Sequence, residues 1–316
     1  MAVESPPLPV LAKPGRLASL VDSDVLHSFW RSKVTVVAAA VALIIIGSAV
    51  LAPWIAPHNP FDLKQVVLLN SNLPPVWQTG GDPNFLLGTD DQGRDILSTI
   101  LYGSRSSLAV GMLSVAFATI VGVLLGLIAG YSGGLIDTVI MRAADVQLTF
   151  PAILIALLID GTVRALFGEQ RDANQAAMVL ILSIGLSFWV QYARTVRAQT
   201  LVERHKDYVL AARLIGLSPA RILLRHILPN VTGPVLVIIT INLALAVILE
   251  ATLSFLGVGL PPTEPSLGTL IRIGNNYLFS GEWWIAIFPG ITLVALVLAV
   301  NLVGDWLRDV LNPKLR

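Results

Sequence analysis

Long apolar runs recur along this chain, and each is long enough to cross a lipid bilayer. About 20 consecutive apolar residues form a helix that spans the hydrocarbon core, where every backbone N–H and C=O group must be bonded within the protein. Of the 316 residues, 55% are hydrophobic and only 13% are charged, whereas a soluble domain carries about 25% charged residues. The sequence therefore predicts an all-α polytopic membrane protein.

Six of these runs fit best as membrane helices. Residues 1–33 are too long for the charged region of a cleaved signal peptide, so the first run is interpreted as a span. The third run contains Pro151 at its middle. Neighbouring helices can satisfy the backbone groups that a proline frees, so we expect a kink there rather than loss of the span. The predicted spans are 34–52, 108–130, 139–158, 176–193, 233–253 and 284–303.

The basic residues are distributed unevenly between the loops. Cytoplasmic loops carry an excess of Lys and Arg, and the long loop 54–107 holds only Lys64, Arg94 and Arg105. We therefore expect this loop outside the cell and both termini in the cytoplasm, together with the segment between spans four and five. The basic residues of that segment are Arg194, Arg197, Arg204, Lys206, Arg213, Arg221 and Arg225.

A stripe of small residues follows one face of the second span. Small side chains at every fourth position let another helix backbone approach closely. Two interpretations stay open: packing within the chain, or contact with a second membrane subunit or the transport pathway. The stripe consists of Ser114, Ala118, Gly122, Gly126 and Gly130.

The sequence carries no pattern of a nucleotide, metal or hydrolase site. A phosphate-binding loop requires a Gly-Lys dipeptide, and none occurs. The letters Gly-x-Ser-x-Gly at 130–134 fall between two membrane helices and are interpreted as a turn, since a nucleophile needs a strand before it. Counted from Asp90, position twelve of a calcium loop would be Leu101 instead of Glu. We predict no catalytic residue and no metal site, and a helix capped by Asp95.

Several polar side chains lie inside the predicted spans, where they are costly and often functional. Each one either bonds a neighbouring helix or lines a wet pathway, and the sequence leaves both alternatives open. Arg142 and Asp145 are three residues apart and can pair on one helix face. Glu250 has no partner within one helical turn. The candidate pathway or interhelix residues are Asp145, Gln147, Asn242, Glu250 and Asn301.

A polar, arginine-rich segment at 207–230 interrupts the apolar sequence between spans four and five. Ala211 and Ala212 offer a smooth helix surface, and Gly216 can end that helix with a positive φ. A second helix would follow from Ser218 and Pro219, with Arg221 and Arg225 four residues apart on one face. The segment therefore predicts a surface that a separate soluble protein binds. A solvated loop whose arginines only set the topology is the alternative.

The residues of this segment resemble the coupling loop, or "EAA" loop, of ABC importer permeases. The similarity is closest to the dipeptide and oligopeptide family, which also contains nickel importers. It implies that a helix at Ala211, Ala212 and Gly216 docks into a cleft of an ATPase subunit. Leu228 and Pro229 also match, whereas Leu210 occupies the position of the motif's glutamate.

Three further segments resemble the C-type subunit of these importers. They lie at 88–108, 249–257 and 301–309, so the resemblance extends over most of the chain. The first contains a signature of the long outer loop, made by Gly88, Thr89, Asp90, Gly93, Arg94 and Asp95.

The resemblance implies the type I ABC importer permease fold in a bacterial inner membrane. The expected partners are a homologous permease subunit, two ATPase subunits, an extracytoplasmic solute-binding protein and the lipid bilayer, without nucleic acid. ATP and Mg would be bound by the ATPase subunits, leaving no cofactor in this chain. The implied divisions are a cytoplasmic tail at 1–32, the first helix with the outer loop at 33–107, a permease core at 108–309 with the coupling loop 200–229, and a tail at 310–316.

Peptides are the expected cargo, and nickel chelates are an alternative for the same architecture. A second alternative is an ion-coupled secondary transporter that acts alone through Glu250 or Asp145. The coupling segment argues against it, and so does the lack of an evident inverted repeat in the hydropathy.

Overall fold

The computed structural model describes residues 23–62, 66–168, 172–264 and 266–311. Most of both predicted terminal tails, at 1–22 and 312–316, lies outside these described residues. Within them the chain is helical, and its only extended pairing is an isolated bridge between Thr89 and Asp95. The helices are α1 Ser23–Arg31, α2 Lys33–Val50, α3 Ala52–Ile55, α4 Ile96–Ser132, α5 Gly134–Leu148, α6 Ala152–Phe167, α7 Ala173–Glu203, α8 Asp207–Leu214, α9 Pro219–Ile222, α10 Leu228–Phe255, α11 Leu267–Asn275 and α12 Trp284–Leu311. A π-helical turn, Leu223–Ile227, joins α9 to α10, and short 3-10 turns occur at Leu68–Asn70 and Leu278–Ser280.

Five of the described helical segments are long and apolar enough to cross a membrane. They are Lys33–Val50, Ile96–Ser132, Ala173–Glu203, Pro219–Phe255 and Trp284–Val310. The remaining, third predicted span (139–158) corresponds to α5 and α6, which are bent by 94° relative to each other. Pro151 precedes α6, and a proline has no N–H to continue the helix before it. The expected kink is instead a full break between two helices.

Helix α4 begins well before the predicted span because Asp95 caps it. The Asp95 carboxylate accepts the backbone N–H of Ser98 at 2.9 Å, as the sequence predicts. At 37 residues, α4 is about 55 Å long, which exceeds the bilayer core of about 30 Å. One end of α4 therefore projects beyond the apolar layer.

The small-residue stripe of α4 packs against α7. A Cβ atom on Gly122 would lie 2.5 Å from the carbonyl oxygen of Trp189, and one on Gly126 would lie 2.6 Å from that of Ala193. Real Cβ atoms do not approach so closely, so only glycine permits this backbone contact. For these glycines the structure favours packing within the chain over contact with a second subunit.

The two ends of the helix bundle are different. At one end, called the α8 end, the chain folds into α8, α9 and the π-helical turn. At the other, called the α11 end, α11 packs between the ends of α10, α4 and α12. Buried side chains of Ile96, Leu267, Leu270 and Ile285 form the core there.

The α4–α7 contact predicts a strong effect of Gly126→Val. The new side chain would overlap the α7 backbone and reduce the free energy of unfolding by about 2–3 kcal/mol. Equilibrium unfolding of the purified chain in mixed detergent and denaturing micelles measures this change. Gly47→Val is the matched control because a Cβ on Gly47 meets nothing within 4 Å. Equal effects of the two substitutions would contradict the packing argument.

Candidate functional site

Helices α8 and α9 form a hairpin whose turn depends on Gly216. The backbone at Gly216 has a φ of +80°, a conformation that glycine adopts without steric cost. Its N–H donates to the carbonyl of Arg213 at 3.0 Å, and the N–H of Leu217 donates to that of Ala212 at 3.1 Å. These two bonds satisfy the last carbonyls of α8 in a Schellman motif. The predicted role of Gly216 in ending the helix is confirmed.

The start of α9 follows the predicted pattern in its backbone only. Ser218 is extended, and Pro219 occupies the first helical position, but the Ser218 side chain makes no capping hydrogen bond. Arg221 and Arg225 are both exposed. The segment after α9 is a π-helix, a form that often occurs at functional sites.

One face of the hairpin is buried against the rest of the chain. Val209, Ala212, Ile222 and Ile227 belong to the main hydrophobic core, and Ala212 is 3% exposed. The expectation that both alanines form an outer surface is therefore corrected. Ala211 is exposed, whereas Ala212 lies four residues from Gly216 on the inward face.

The opposite face presents large apolar side chains outside the long apolar helices. Leu214 is 88% exposed and Ile215 is 75% exposed, and Leu210 is exposed beside them. Contiguous exposed apolar side chains on a folded protein mark interaction sites. We define Leu210, Ala211, Leu214 and Ile215 as the docking face.

A network around Glu203 fastens α8 to two of the long helices. Glu203, at the end of α7, accepts hydrogen bonds from the Tyr208 hydroxyl and from Lys206 Nζ, the latter at 2.6 Å. Asn230 of α10 donates to the Tyr208 hydroxyl at 3.0 Å. Burial and the neighbouring Glu203 carboxylate raise the pKa of Tyr208 to about 12, so its hydroxyl remains a donor at physiological pH.

Two arginines connect the same region to α4. Arg204 Nη1 donates to the carbonyl of Gly130 at 3.0 Å. The guanidinium of Arg213, on α8, lies 4.8 Å from the centre of the Tyr131 ring, within the range of a cation–π contact. The hairpin is thus attached to α4, α7 and α10.

Sequence reasoning missed Glu203, the acid at the base of α8. The resemblance placed an acid at position 210, where this chain has Leu210. The structure supplies a carboxylate from the preceding helix instead. The sequence does contain a signal for this role, because Glu203 is an acidic residue that ends a long apolar helix just before the tyrosine of the matched motif.

The outer-loop signature forms a buried turn at the α11 end. Asp90 is 0% exposed and Arg94 is 3% exposed. Arg94 Nε donates to Asp90 Oδ2 at 2.6 Å, and Arg94 Nη1 donates to the carbonyl of Pro262 at 2.7 Å. The turn thereby ties the long loop to the segment between α10 and α11.

The other members of the signature shape this turn. A Cβ on Gly88 would lie 2.4 Å from the carbonyl oxygen of Leu73, and both Gly88 and Gly93 have positive φ angles. The Thr89 hydroxyl accepts the N–H of Leu73 at 2.8 Å, and Trp284 Nε1 donates to the Thr89 carbonyl at 3.2 Å. These contacts support the prediction of a turn at these residues.

The polar residues of the third predicted span bond α7. Asp145 accepts a hydrogen bond from Arg194 Nη2 at 2.5 Å, so its expected pairing with Arg142 is wrong. Gln147 accepts from Trp189 Nε1 at 2.5 Å and donates to the carbonyl of Leu186. Both residues therefore connect α5 to α7.

Two of the other candidates are enclosed by the chain itself. Asn242 and Glu250 are both 0% exposed. Asn242 lies beside the Tyr192 hydroxyl. Glu250 accepts from Ser254, one turn later on the same helix, at 2.7 Å, so the expectation that it has no partner within one turn is wrong. Asn301 is partly buried on α12. Burial of Asn242 and Glu250 favours a role within the bundle over direct lining of a wet pathway.

Comparison with known proteins identifies the class of protein. The profile of the family "Binding-protein-dependent transport system inner membrane component" matches residues 122–316, and that of the "N-terminal TM domain of oligopeptide transport permease C" matches residues 23–75. The chain therefore belongs to the family of inner membrane components of binding-protein-dependent transport systems. It is a permease component of an ABC transporter in the inner membrane, and the predicted resemblance is confirmed.

Individual relatives match nearly the whole chain. The "Dipeptide transport system permease protein DppC" of Haemophilus influenzae is 38% identical over 295 residues, covering 92% of this chain and 95% of the relative. The protein of the same name from Escherichia coli K12 is 42% identical over 290 residues, covering 92% of each. The "Di/tripeptide transport system permease protein DppC" of Pseudomonas aeruginosa is 38% identical over 302 residues, covering 94% and 95%.

A solved structure confirms the predicted fold class. One inward-facing structure of the MetNI methionine ABC transporter aligns with a TM-score of 0.53 and 19% identity, over 69% of this chain and 98% of that chain. At this identity the likeness shows the fold alone. Since the relatives are permease components, the catalytic ATPase is a separate subunit.

The buried pair of the signature turn predicts the effect of Arg94→Met. This variant leaves the Asp90 carboxylate buried without its cation and should lower the free energy of unfolding by about 4 kcal/mol. The double variant Asp90→Asn with Arg94→Met removes both charges and should recover most of that loss. Unfolding in mixed micelles measures both effects, with exposed Arg105→Met as the control. A double variant no more stable than Arg94→Met would contradict the ion-pair interpretation.

Proposed function

We propose that this chain forms half of the translocation pathway of an ATP-driven importer of dipeptides and oligopeptides. The docking face carries the proposal, because it presents apolar side chains on a hairpin attached to three long helices. The names of relatives at 38–42% identity across more than nine-tenths of the chain support peptides as the cargo.

The proposed complex contains a homologous permease subunit, two ATPase subunits that bind ATP and Mg, and an extracytoplasmic solute-binding protein. Both chain termini and the α8 end lie in the cytoplasm, and the long loop and the α11 end lie outside. The excess of Lys and Arg in the segment around α8 supports this orientation. The divisions at 1–32, 33–107, 108–309 and 310–316 belong to the same proposal.

In the proposed mechanism, closure of the ATPase subunits displaces α8. Ala211 and Gly216 shape the hairpin that inserts into the ATPase cleft, Ala212 anchors it, and exposed Arg221 and Arg225 contact the rim of the cleft. The contacts of Glu203, Arg204 and Arg213 transmit the displacement to α7 and α4. Because α10 continues directly from the hairpin, the long helices move together and alternate the access of the pathway.

Transport by the reconstituted complex tests the cargo. Vesicles containing this chain with its cognate permease, ATPases and binding protein should take up a labelled dipeptide only when ATP is supplied. A nickel chelate serves as the competing cargo. Nickel uptake without dipeptide uptake would assign the chain to the alternative cargo, and dipeptide uptake by this chain alone under an ion gradient would favour a secondary transporter.

The docking face predicts the outcome of Leu214→Asp combined with Ile215→Asp. These exposed side chains contribute little to the fold, so the variant should remain folded. If they enter an ATPase cleft, losing them costs about 2 kcal/mol or more, and binding of the ATPase subunits weakens about thirtyfold. Affinity in detergent and cargo-stimulated ATP hydrolysis are the measurements.

Leu214→Met combined with Ile215→Val is the matched control, because it keeps the surface apolar. This control should bind the ATPase subunits with native affinity. Native affinity in the Asp variant would show that the ATPases dock elsewhere.

A further inference from the structure

Glu250 is a buried acid near the end of α10 that the coupling mechanism does not use. It is 0% exposed. Ser254, one turn later on the same helix, donates to its Oε1 at 2.7 Å. Its Oε2 accepts no hydrogen bond from any residue in the described ranges. Burying a carboxyl group is costly unless hydrogen-bond donors surround it, so the groups around Glu250 indicate its role.

Two further serines, from other parts of the chain, flank the same carboxyl group. They are Ser107 of α4 and Ser266, which precedes α11. The Ser107 hydroxyl accepts the N–H of Leu267 at 3.2 Å, and the Ser266 hydroxyl accepts the N–H of Thr269 at 3.3 Å. A hydroxyl oxygen that accepts a bond still has its own hydrogen to donate. Two hydroxyls that bond backbone amides of α11 thus lie beside the Glu250 carboxyl group.

The first turn of α11 lies directly against the turn of α10 that carries Glu250. A Cβ on Gly268 would lie 2.3 Å from the carbonyl oxygen of Ala251, so the two backbones touch. Backbone contact and the serine hydroxyls beside Glu250 therefore hold the same two turns together.

We propose that Glu250 is a positioning residue that locks α11 to α10, so that both move as one body. Helical structure continues from Pro219 of the hairpin to Phe255, through the π-helical turn and Pro234, so the hairpin and Glu250 lie on one continuous helical segment. Displacement of the docking face therefore reaches α11 at the opposite end of the bundle. This role rests on the proposed function, in which the α11 end receives cargo from the binding protein.

The first test compares Glu250→Gln with the native chain in the complete reconstituted complex. Glutamine keeps the shape and one acceptor oxygen but replaces the other oxygen with an NH₂ group, which donates to hydrogen bonds instead of accepting them. ATP hydrolysis is measured with and without cargo-loaded binding protein. We expect the stimulation by binding protein to fall about tenfold while the basal rate stays within about twofold, which corresponds to loss of a typical coupling free energy.

Glu250→Asp keeps a carboxyl group and should restore part of the stimulation. Thr252→Val, at a half-buried position whose hydroxyl bonds the Ile248 carbonyl of the same helix, should leave it native. Native stimulation with Glu250→Gln would overturn the role, and so would equal loss of the basal and stimulated rates. If the native complex itself shows no stimulation, the proposed function fails instead. If Glu250→Gln prevents assembly, Ser107→Ala removes one of the hydroxyls beside Glu250 and is judged by the same criteria.

A second test uses the absence of cysteine from the sequence. Spin labels at Asn275→Cys on α11 and Thr252→Cys on α10 report the distance between the two helices. In the complex with native Glu250, the distribution of this distance should be narrow and should be the same in the nucleotide-free and ATP-bound states. In the Glu250→Gln variant the distribution should broaden. A distance that changes with nucleotide while Glu250 is intact would show that α11 does not follow α10.

Discussion

The backbone contact between α4 and α7 is the interaction on which the rest of the bundle depends. Lipid tails are as apolar as leucine side chains, so membrane helices gain little from hydrophobic burial and associate through close packing. Gly122 and Gly126 allow the carbonyl groups of α7 to approach where any side chain would collide. With α4 and α7 in contact, the groups that fasten the hairpin, Glu203 of α7 and the Gly130 carbonyl of α4, lie at the same end.

The amino-acid sequence predicts the features that depend on local chemistry. The Asp95 cap, the positive φ of Gly216 and the spans themselves follow from capping geometry, the lack of a Cβ atom and the length of apolar runs. The side-chain partners were harder to predict. Asp145 pairs with Arg194 of another helix instead of Arg142 on its own, because the rotation of a helix is set by packing against distant residues. The break at Pro151 is likewise sharper than proline chemistry alone requires.

The hairpin also combines a feature that local chemistry predicts with one that depends on packing. Its two alanines are adjacent in sequence, yet Ala211 faces outward and Ala212 packs into the core. A pattern of small residues cannot tell these roles apart, because either could serve a partner or the chain. The acid of this region illustrates the point further. Position 210 lacks a carboxylate, but Glu203, five residues before Tyr208, places one at the base of α8.

The two ends of the bundle are held by different kinds of contact, and the difference suits an importer. At the α11 end, the Asp90–Arg94 pair and the group around Glu250 are buried, so each broken bond would strand a polar group away from water. At the α8 end, the donors Lys206, Tyr208 and Asn230 are exposed, and only the Glu203 carboxylate that Lys206 and Tyr208 bond is buried among these four residues. In the proposed mechanism, exposed donors let the hairpin adjust to a moving partner, while α10 carries its displacement to the buried contacts of the α11 end.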